Sequence, residues 1–385
     1  MRTRAMLYTV LFSGQVIWGA LIPLLPTFAA RFHLTSFQSG MLLAASSVTT
    51  LIVSLPAGML AHRFGARRVT LFGIALMVVS DVGQATASSY LALVGARAVF
   101  GAAFGIIWTA GIAWMSTLGG EDDSRPLAFA VTASGLGSVA GPALGGGLAP
   151  AAGTPAPFLV GAVVTAVPLL VLLAGGAGDG REWSRRQESL AAAITRSSRE
   201  PQARAALLLV LVAGLMSSVA NLVLPLELHR NGLSTEAIGA AFSVGAGVFI
   251  LSSSLVARFA DRTVAIGFAA VVCLVAAGAF VGPALATSTG LLLVCLLLRS
   301  PSAAAMYAIG YPLGVAGARI ARASAGSIAT LLNLGYASAA LAGPMAAGWL
   351  LQVAAPQAVF ASMVVCNLAA ALWLRRVRSS APALP

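Results

Sequence analysis

The chain has 385 residues, of which 59% are hydrophobic and 9% charged. A soluble domain carries roughly 25% charged residues, so a water-facing globule is excluded. The net charge of +12 comes from arginine alone, because no lysine occurs. Those arginines sit singly or in small groups between apolar runs, which is how membrane topology is encoded and not how a nucleic-acid surface is built.

At roughly 20 residues per span the chain has room for about twelve helices and none for a large soluble domain. The apolar runs predict helix 1 at about 5–30, helix 2 at 37–61, helix 3 at 69–88, helix 4 at 90–117, helix 5 at 126–149 and helix 6 at 156–176. Helix 1 follows Arg2 and Arg4 and continues past Pro26 without a small-residue cleavage site, so it reads as a first span and not a removable signal. A polar, arginine-rich segment near 178–204 is the single long loop. Helices 7 to 12 follow at about 205–228, 236–257, 263–283, 289–315, 324–352 and 356–374. The three cysteines, Cys273, Cys295 and Cys366, lie within these runs with no CxxC or histidine spacing, which argues against a disulfide framework or a metal site.

Placing both termini in the cytoplasm puts nineteen arginines on that side and two, Arg31 and Arg230, outside; Arg97 and Arg299 fall within spans. The positive-inside rule therefore selects this orientation. The two halves also repeat. Leu25-Pro26 and Leu224-Pro225 are 199 residues apart, as are Gly40 and Gly239. Arg63-Phe64 recurs 195 residues later as Arg258-Phe259, and Ala140-Gly141-Pro142 recurs 202 residues later as Ala342-Gly343-Pro344. The expected architecture is an all-α polytopic membrane protein. It has a six-helix bundle at 1–177, a cytoplasmic linker at 178–204, a second bundle at 205–378 and a cytoplasmic tail at 379–385.

Charges inside spans cost roughly 2.5–3.5 kcal/mol on insertion scales and mark functional positions. Asp81, Arg97 and Arg299 qualify. Asp81 lies eight residues before the turn at Ser89 and Arg97 eight after it, which puts both about 12 Å below the outer surface. Equal depth on adjacent antiparallel helices predicts an ion pair. Asp81 then either pins helix 3 to helix 4 or carries a proton; Glu227, near the outer end of helix 7, is the second candidate. On helix 4, Arg97, Gly101, Gly105 and Trp108 share one face. On helix 10, Arg299, Met306 and Gly310 share another, with Tyr307 beside it.

The loop Gly58-Met59-Leu60-Ala61-His62-Arg63-Phe64-Gly65-Ala66-Arg67-Arg68 resembles motif A of the major facilitator superfamily. Arg97 with Gly101 and Gly105 is similar to its motif B. The run Gly137-Ser138-Val139-Ala140-Gly141-Pro142-Ala143-Leu144-Gly145-Gly146 matches its antiporter motif C. The resemblance covers essentially the full chain and points to the twelve-span drug and metabolite antiporters. Where members usually carry Asp this chain has His62, which weakens the expected cytoplasmic gating lock. Glu121, Asp122 and Asp123 in the next loop are alternative partners for Arg67 or Arg68, or simply a solvated loop.

The resemblance implies a substrate cavity lined by helices 1, 4, 7 and 10. It would draw on Gln15, Trp18, Arg97, Gly101, Gly105, Trp108, Asn221, Arg299, Met306 and Tyr307; for the aromatics, interfacial anchoring or packing is the alternative. Gly137, Gly141, Pro142, Gly145, Gly146, Gly343 and Pro344 are expected to be packing and hinge elements, because proline bends a helix and glycine admits a close neighbour. Proton-coupled export of small, partly hydrophobic compounds such as drugs or secondary metabolites is the expected function. The alternatives are a sugar or organic-anion transporter and a non-transporting membrane sensor or assembly partner. No GxxxxGK[ST] phosphate loop occurs, which excludes a nucleotide-driven pump. No catalytic constellation is present and no cofactor is implied. The expected setting is a bacterial inner membrane, with a monomer as the unit that the resemblance implies.

Overall fold

The structure, a computed structural model, describes residues 2–118, 125–175, 195–196, 198–258, 266–323 and 325–380. Within these it is all helical. Among the described residues, twelve helices are long and apolar enough to cross a membrane. They are α1 (Arg2–Arg31), α2 (Ser36–Phe64), α3 (Ala66–Thr86), α4 (Tyr90–Thr117), α5 (Arg125–Ala152), α6 (Ala156–Ala174), α7 (Pro201–Arg230), α8 (Thr235–Ala257), α9 (Ile266–Leu285), α10 (Thr289–Ile320), α11 (Ala325–Val353) and α12 (Pro356–Ser380). The expected helices are all present. Most of the linker, the tail from 381 onward, and Glu121, Asp122 and Asp123 lie outside the described residues.

Local chemistry sets the boundaries. Thr35 opens α2 with a capping box: its hydroxyl accepts from the Gln38 amide at 3.2 Å, and the Gln38 side chain accepts from the Thr35 amide at 2.8 Å. Together they satisfy two orphan donors of the first turn. Ser89 caps α4 in the same sense, accepting from the Ala92 amide. Gly65 separates α2 from α3 at φ 90°, a left-handed conformation that L side chains avoid. The periodicity did not reveal a π-helical turn at Ile107–Gly111 within α4.

Outward-facing positions are apolar. Leu91, Leu251 and Leu285 are 77%, 72% and 79% exposed, an arrangement suited to lipid, where exposed hydrocarbon carries no penalty.

The chain forms two compact units. The first comprises Met1–Arg185 and takes in Gly232–Ser243. In it α1 packs on α5 and α6, α2 on α4, and α3 on α4 and α6. A ridge of glycines brings α5 onto α1. A Cβ at Gly137 or Gly145 would collide with the Phe12 or Ala20 carbonyl, and one at Gly141 would stand 2.6 Å from the Val16 carbonyl. Both rows advance by four residues, so ridge meets ridge along one stripe. Gly146 similarly admits the start of α8, where its Cβ would stand 2.7 Å from the Thr235 carbonyl and 3.0 Å from Gly239 Cα. That close approach explains why Gly232–Ser243 groups with this unit.

The second unit comprises Arg186–Asn231 and Val244–Pro385. Here α7 packs on α10, α11 and α12, and α9 on α10 and α12. The pairings of α7 with α11 and α12, and of α9 with α10 and α12, reproduce those of α1 with α5 and α6, and of α3 with α4 and α6. The sequence repeat is thus a repeat of packing. Gly343 meets Ser218 of α7, whose hydroxyl donates to the Ala339 carbonyl at 3.1 Å.

Candidate functional site

The charged centre of the first unit is Arg97 on α4, 1% exposed. One terminal nitrogen donates to Gln84 Oε1 at 3.4 Å and the other to Ser46 Oγ at 3.3 Å. Its guanidinium carbon lies 4.7 Å from the Phe100 ring centre and 5.6 Å from that of Trp18. An amide, a hydroxyl and two aromatic faces thus replace the water that a cation loses in hydrocarbon. Gln84 is fixed in turn, donating to Ser80 Oγ at 3.1 Å, and Ser80 donates to the Ala96 carbonyl at 3.0 Å.

Asp81 on α3 is fully buried, and neither carboxylate oxygen has a hydrogen-bond partner. The expected ion pair with Arg97 is therefore not formed. The two residues are on packed helices as depth predicted, but the arginine is turned towards Gln84 and Ser46. Asp81 Oδ2 lies towards α6 instead, 3.4 Å from where a Cβ of Gly161 would stand.

Four aromatic rings line the same part of the first unit. Trp18 is 6.1 Å from Phe100 and 5.9 Å from Phe104, and Phe104 meets Trp108 edge-on at 6.1 Å. Trp18 and Trp108 remain partly accessible, and the indole nitrogen of Trp108 has no partner. Gly101 and Gly105, expected beside them, face α2. A Cβ on Gly101 would overlap the Ser46 carbonyl, and one on Gly105 would stand 3.1 Å from that of Thr50. They set the α2–α4 contact, reinforced by Thr50 donating to the Gly101 carbonyl at 2.7 Å. Gln15 is partly buried against Gly137.

In the second unit Arg299 is 8% exposed, and its Nε is buried without a partner. Met306 is fully buried. Tyr307 stacks edge-on between Phe249 at 6.1 Å and Tyr336 at 6.2 Å, with its hydroxyl unpartnered. Asn221 is partly buried on α7. Glu227 is paired: its Oε1 accepts from Arg230, itself largely exposed, at 2.6 Å.

Along the loop between α2 and α3, His62, Arg63 and Arg68 are exposed, with Arg63 over the Phe64 ring at 5.2 Å. Arg67 instead donates to the Leu172 carbonyl at 3.3 Å, satisfying one of the orphan acceptors in the last turn of α6. Gly58 faces Thr109 in the π turn of α4, where an added Cβ would stand 3.6 Å from the threonine methyl. Sequence reasoning missed Gln84, Ser46 and Phe100; the available signal was a pair of uncharged polar residues inside apolar spans.

The sequence profile described as Major Facilitator Superfamily matches residues 7–338. An MFS-type transporter, ppzB, of Metarhizium rileyi is 30% identical over 165 residues, covering 41% of this chain and 34% of that protein. Multidrug resistance protein 2 of Bacillus subtilis is 28% identical over 134 residues, covering 34% of this chain and 33% of that one. The chain thus spans about a third of the length of these curated relatives. A bacterial homologue of the human lysosomal transporter Spinster, solved inward-facing and occupied, superposes with a TM-score of 0.80 at 13% identity over 98% of this chain and 96% of that one.

Proposed function

The chain belongs to the Major Facilitator Superfamily, and we propose that it is a secondary active transporter that exports small, partly hydrophobic compounds in exchange for protons. The observation that carries the reading is Asp81, fully buried with both oxygens unpartnered. A group that must gain and lose a proton in each cycle cannot be locked into a permanent ion pair. An unpaired buried carboxylate costs several kcal/mol more than the neutral acid, so the proton has a large effect at this position. Arg97, held by Gln84 and Ser46, supplies a fixed positive charge from the neighbouring helix that makes the ionised form tolerable. Within the first unit, the rings of Trp18, Phe104 and Trp108 offer an apolar substrate surface.

Export is supported by the likeness of Gly137–Gly146 to the antiporter motif and by a multidrug resistance protein among the relatives. The arginine asymmetry supports cytoplasmic termini. Under this reading residues 1–177 and 205–378 are the two halves of an alternating-access monomer in a bacterial inner membrane.

The test is proton movement in proteoliposomes, followed with a pH-sensitive dye and challenged with ethidium, chloramphenicol and benzoate. Compound-triggered proton flux that disappears in Asp81→Asn, with the protein still folded, is the expected result. Transport without proton flux overturns it.

Arg299 favours a second reading, an organic-anion carrier, because this buried cation has no acidic partner among the described residues. Benzoate transport without proton movement is its signature.

A further inference from the structure

Beyond Arg97 and the Ser80–Gln84 pair on its own helix, Asp81 lies near a polar pair on two neighbouring helices. Ser13 on α1 and Thr165 on α6 are buried, and their hydroxyl oxygens are 2.8 Å apart, either one donating. When Thr165 donates to it, Ser13 donates its own hydrogen to the Gly161 carbonyl at 3.5 Å. Gly161 is the residue that Asp81 Oδ2 faces from α3. The carboxylate and the hydroxyl pair therefore meet around one glycine, Asp81 level with Gly161 and the hydroxyls one turn further along α6. One turn rises about 5.4 Å along α6, so transfer between the hydroxyl pair and the carboxylate runs through intervening water.

The second unit provides an internal control. Phe280 lies five residues before the end of α9 at Leu285, as Asp81 lies five before the end of α3 at Thr86, and Phe280 is fully buried. At the 199-residue offset that relates α1 to α7, Ser13 corresponds to Val212. The fully buried Phe158 and Phe360 align α6 with α12 at an offset of 202, which makes Asn367 the counterpart of Thr165. Asn367 turns its amide onto its own helix, donating to the Met363 carbonyl at 2.8 Å. The same three-helix junction thus packs with valine, phenylalanine and an asparagine whose amide nitrogen donates within its own helix and whose Oδ1 is buried without a partner. Packing alone does not require Asp81, Ser13 and Thr165.

We propose that the Ser13–Thr165 hydroxyl pair is the relay that delivers the proton to and from Asp81. This rests on the proton-carrier reading of Asp81. A hydroxyl both donates and accepts, so it passes a proton without becoming charged for long. Arg97 is the one charged side chain on α4; it is turned to Gln84 and Ser46, and its nitrogens donate only. The α6 segment carries no titratable residue. The titratable groups of α1 (Arg2, Arg4, Tyr8 and Arg31) and of α2 (His62 and Arg63) lie at least two turns from the level of Asp81. Tyr90 at the start of α4 and Arg67 and Arg68 at the start of α3 are likewise about two turns or more away.

Hydrogen–deuterium exchange of the protonated carboxyl, read by its infrared carbonyl band in liposome-embedded protein, tests the relay without a transported substrate. Asp81→Asn identifies the band by removing it. Ser13→Ala and Thr165→Val are expected to slow its exchange roughly a hundredfold, the lower end of what a positioned proton-transfer group contributes. Thr165→Ser restores the wild-type rate, and Asn367→Val in the second unit leaves it unchanged. Wild-type exchange in both Ser13→Ala and Thr165→Val overturns the relay and leaves Asp81 as the proton carrier. A spectrum in which Asp81→Asn removes no band sinks the proton-carrier reading itself, and the relay with it.

Discussion

Asp81 and Arg97 are buried on adjacent helices, yet neither carboxylate oxygen accepts a hydrogen bond from the guanidinium. Breaking a buried ion pair by removing one partner costs about 3–5 kcal/mol. With no direct pair to break, Asp81→Asn is expected to keep its thermal unfolding midpoint in detergent within about 2 °C of wild type. The same variant loses compound-triggered proton flux. A large fall in the midpoint would mean that Asp81 holds α3 to α4 after all.

Gln84 is the partner that Arg97 does use. Gln84→Leu keeps the side-chain volume close and leaves one terminal nitrogen of the guanidinium unsatisfied in hydrocarbon. An orphaned buried donor costs about 1–3 kcal/mol, so the variant is expected to unfold at a lower temperature than Asp81→Asn although it removes no charge. Equal midpoints for the two would count against the amide as the support for Arg97.

How far the sequence reached is clearest at these residues. Twelve apolar runs are legible because a membrane span has few other ways to be written, and the glycine ridge of α5 is legible because its members recur every four residues. The burial of Asp81 and Arg97 at one depth followed from counting. Their failure to pair did not, since depth fixes a position along a helix and leaves the direction of a long, flexible side chain open. Gly101 and Gly105 share the face of Arg97, but glycine serves the nearest backbone, and α2 is the helix that comes close enough to use it. The π turn at Ile107–Gly111 changes the angular step around Trp108, which a count at 100° per residue does not register. Ser46, Gln84, Ser13 and Thr165 are uncharged and far apart in sequence; only the fold brings Ser46 and Gln84 to Arg97 and Ser13 to Thr165.

Glycines in one helix separate packing from propensity. A Cβ at Gly145 would stand 2.7 Å from Ala20 Cα, whereas nothing lies within 4 Å of one at Gly147. Gly145→Ala is expected to destabilise the protein by about 1–3 kcal/mol through overpacking. Gly147→Ala is expected to be neutral or stabilising by up to about 1 kcal/mol, because alanine is the better helix former. Thermal unfolding of both in the same detergent checks the sign of each, and equal effects would show that α5 does not rest on α1 through this ridge.

Glu227 is the other acid considered as a proton carrier, and its surroundings differ from those of Asp81. It is paired at 2.6 Å with Arg230, whose side chain is 57% exposed. Pairs of this kind contribute about 0–1 kcal/mol. Glu227→Gln is expected to retain proton flux and to lose little stability. Loss of flux here, with flux intact in Asp81→Asn, would move the proton site to α7.

Arg299 has no acidic partner among the described residues, and its Nε is unsatisfied. A buried cation in this situation costs stability, so Arg299→Leu is expected to unfold at the wild-type temperature or above. If the guanidinium is there for substrate, the gain comes with a selective loss. Transport of benzoate should weaken by about tenfold or more relative to chloramphenicol, since a charged contact contributes upwards of about 1.4 kcal/mol. The ratio of the two KM values, measured in the same proteoliposomes, is the informative quantity because it cancels changes in protein amount. A higher midpoint with an unchanged ratio would remove Arg299 from substrate recognition.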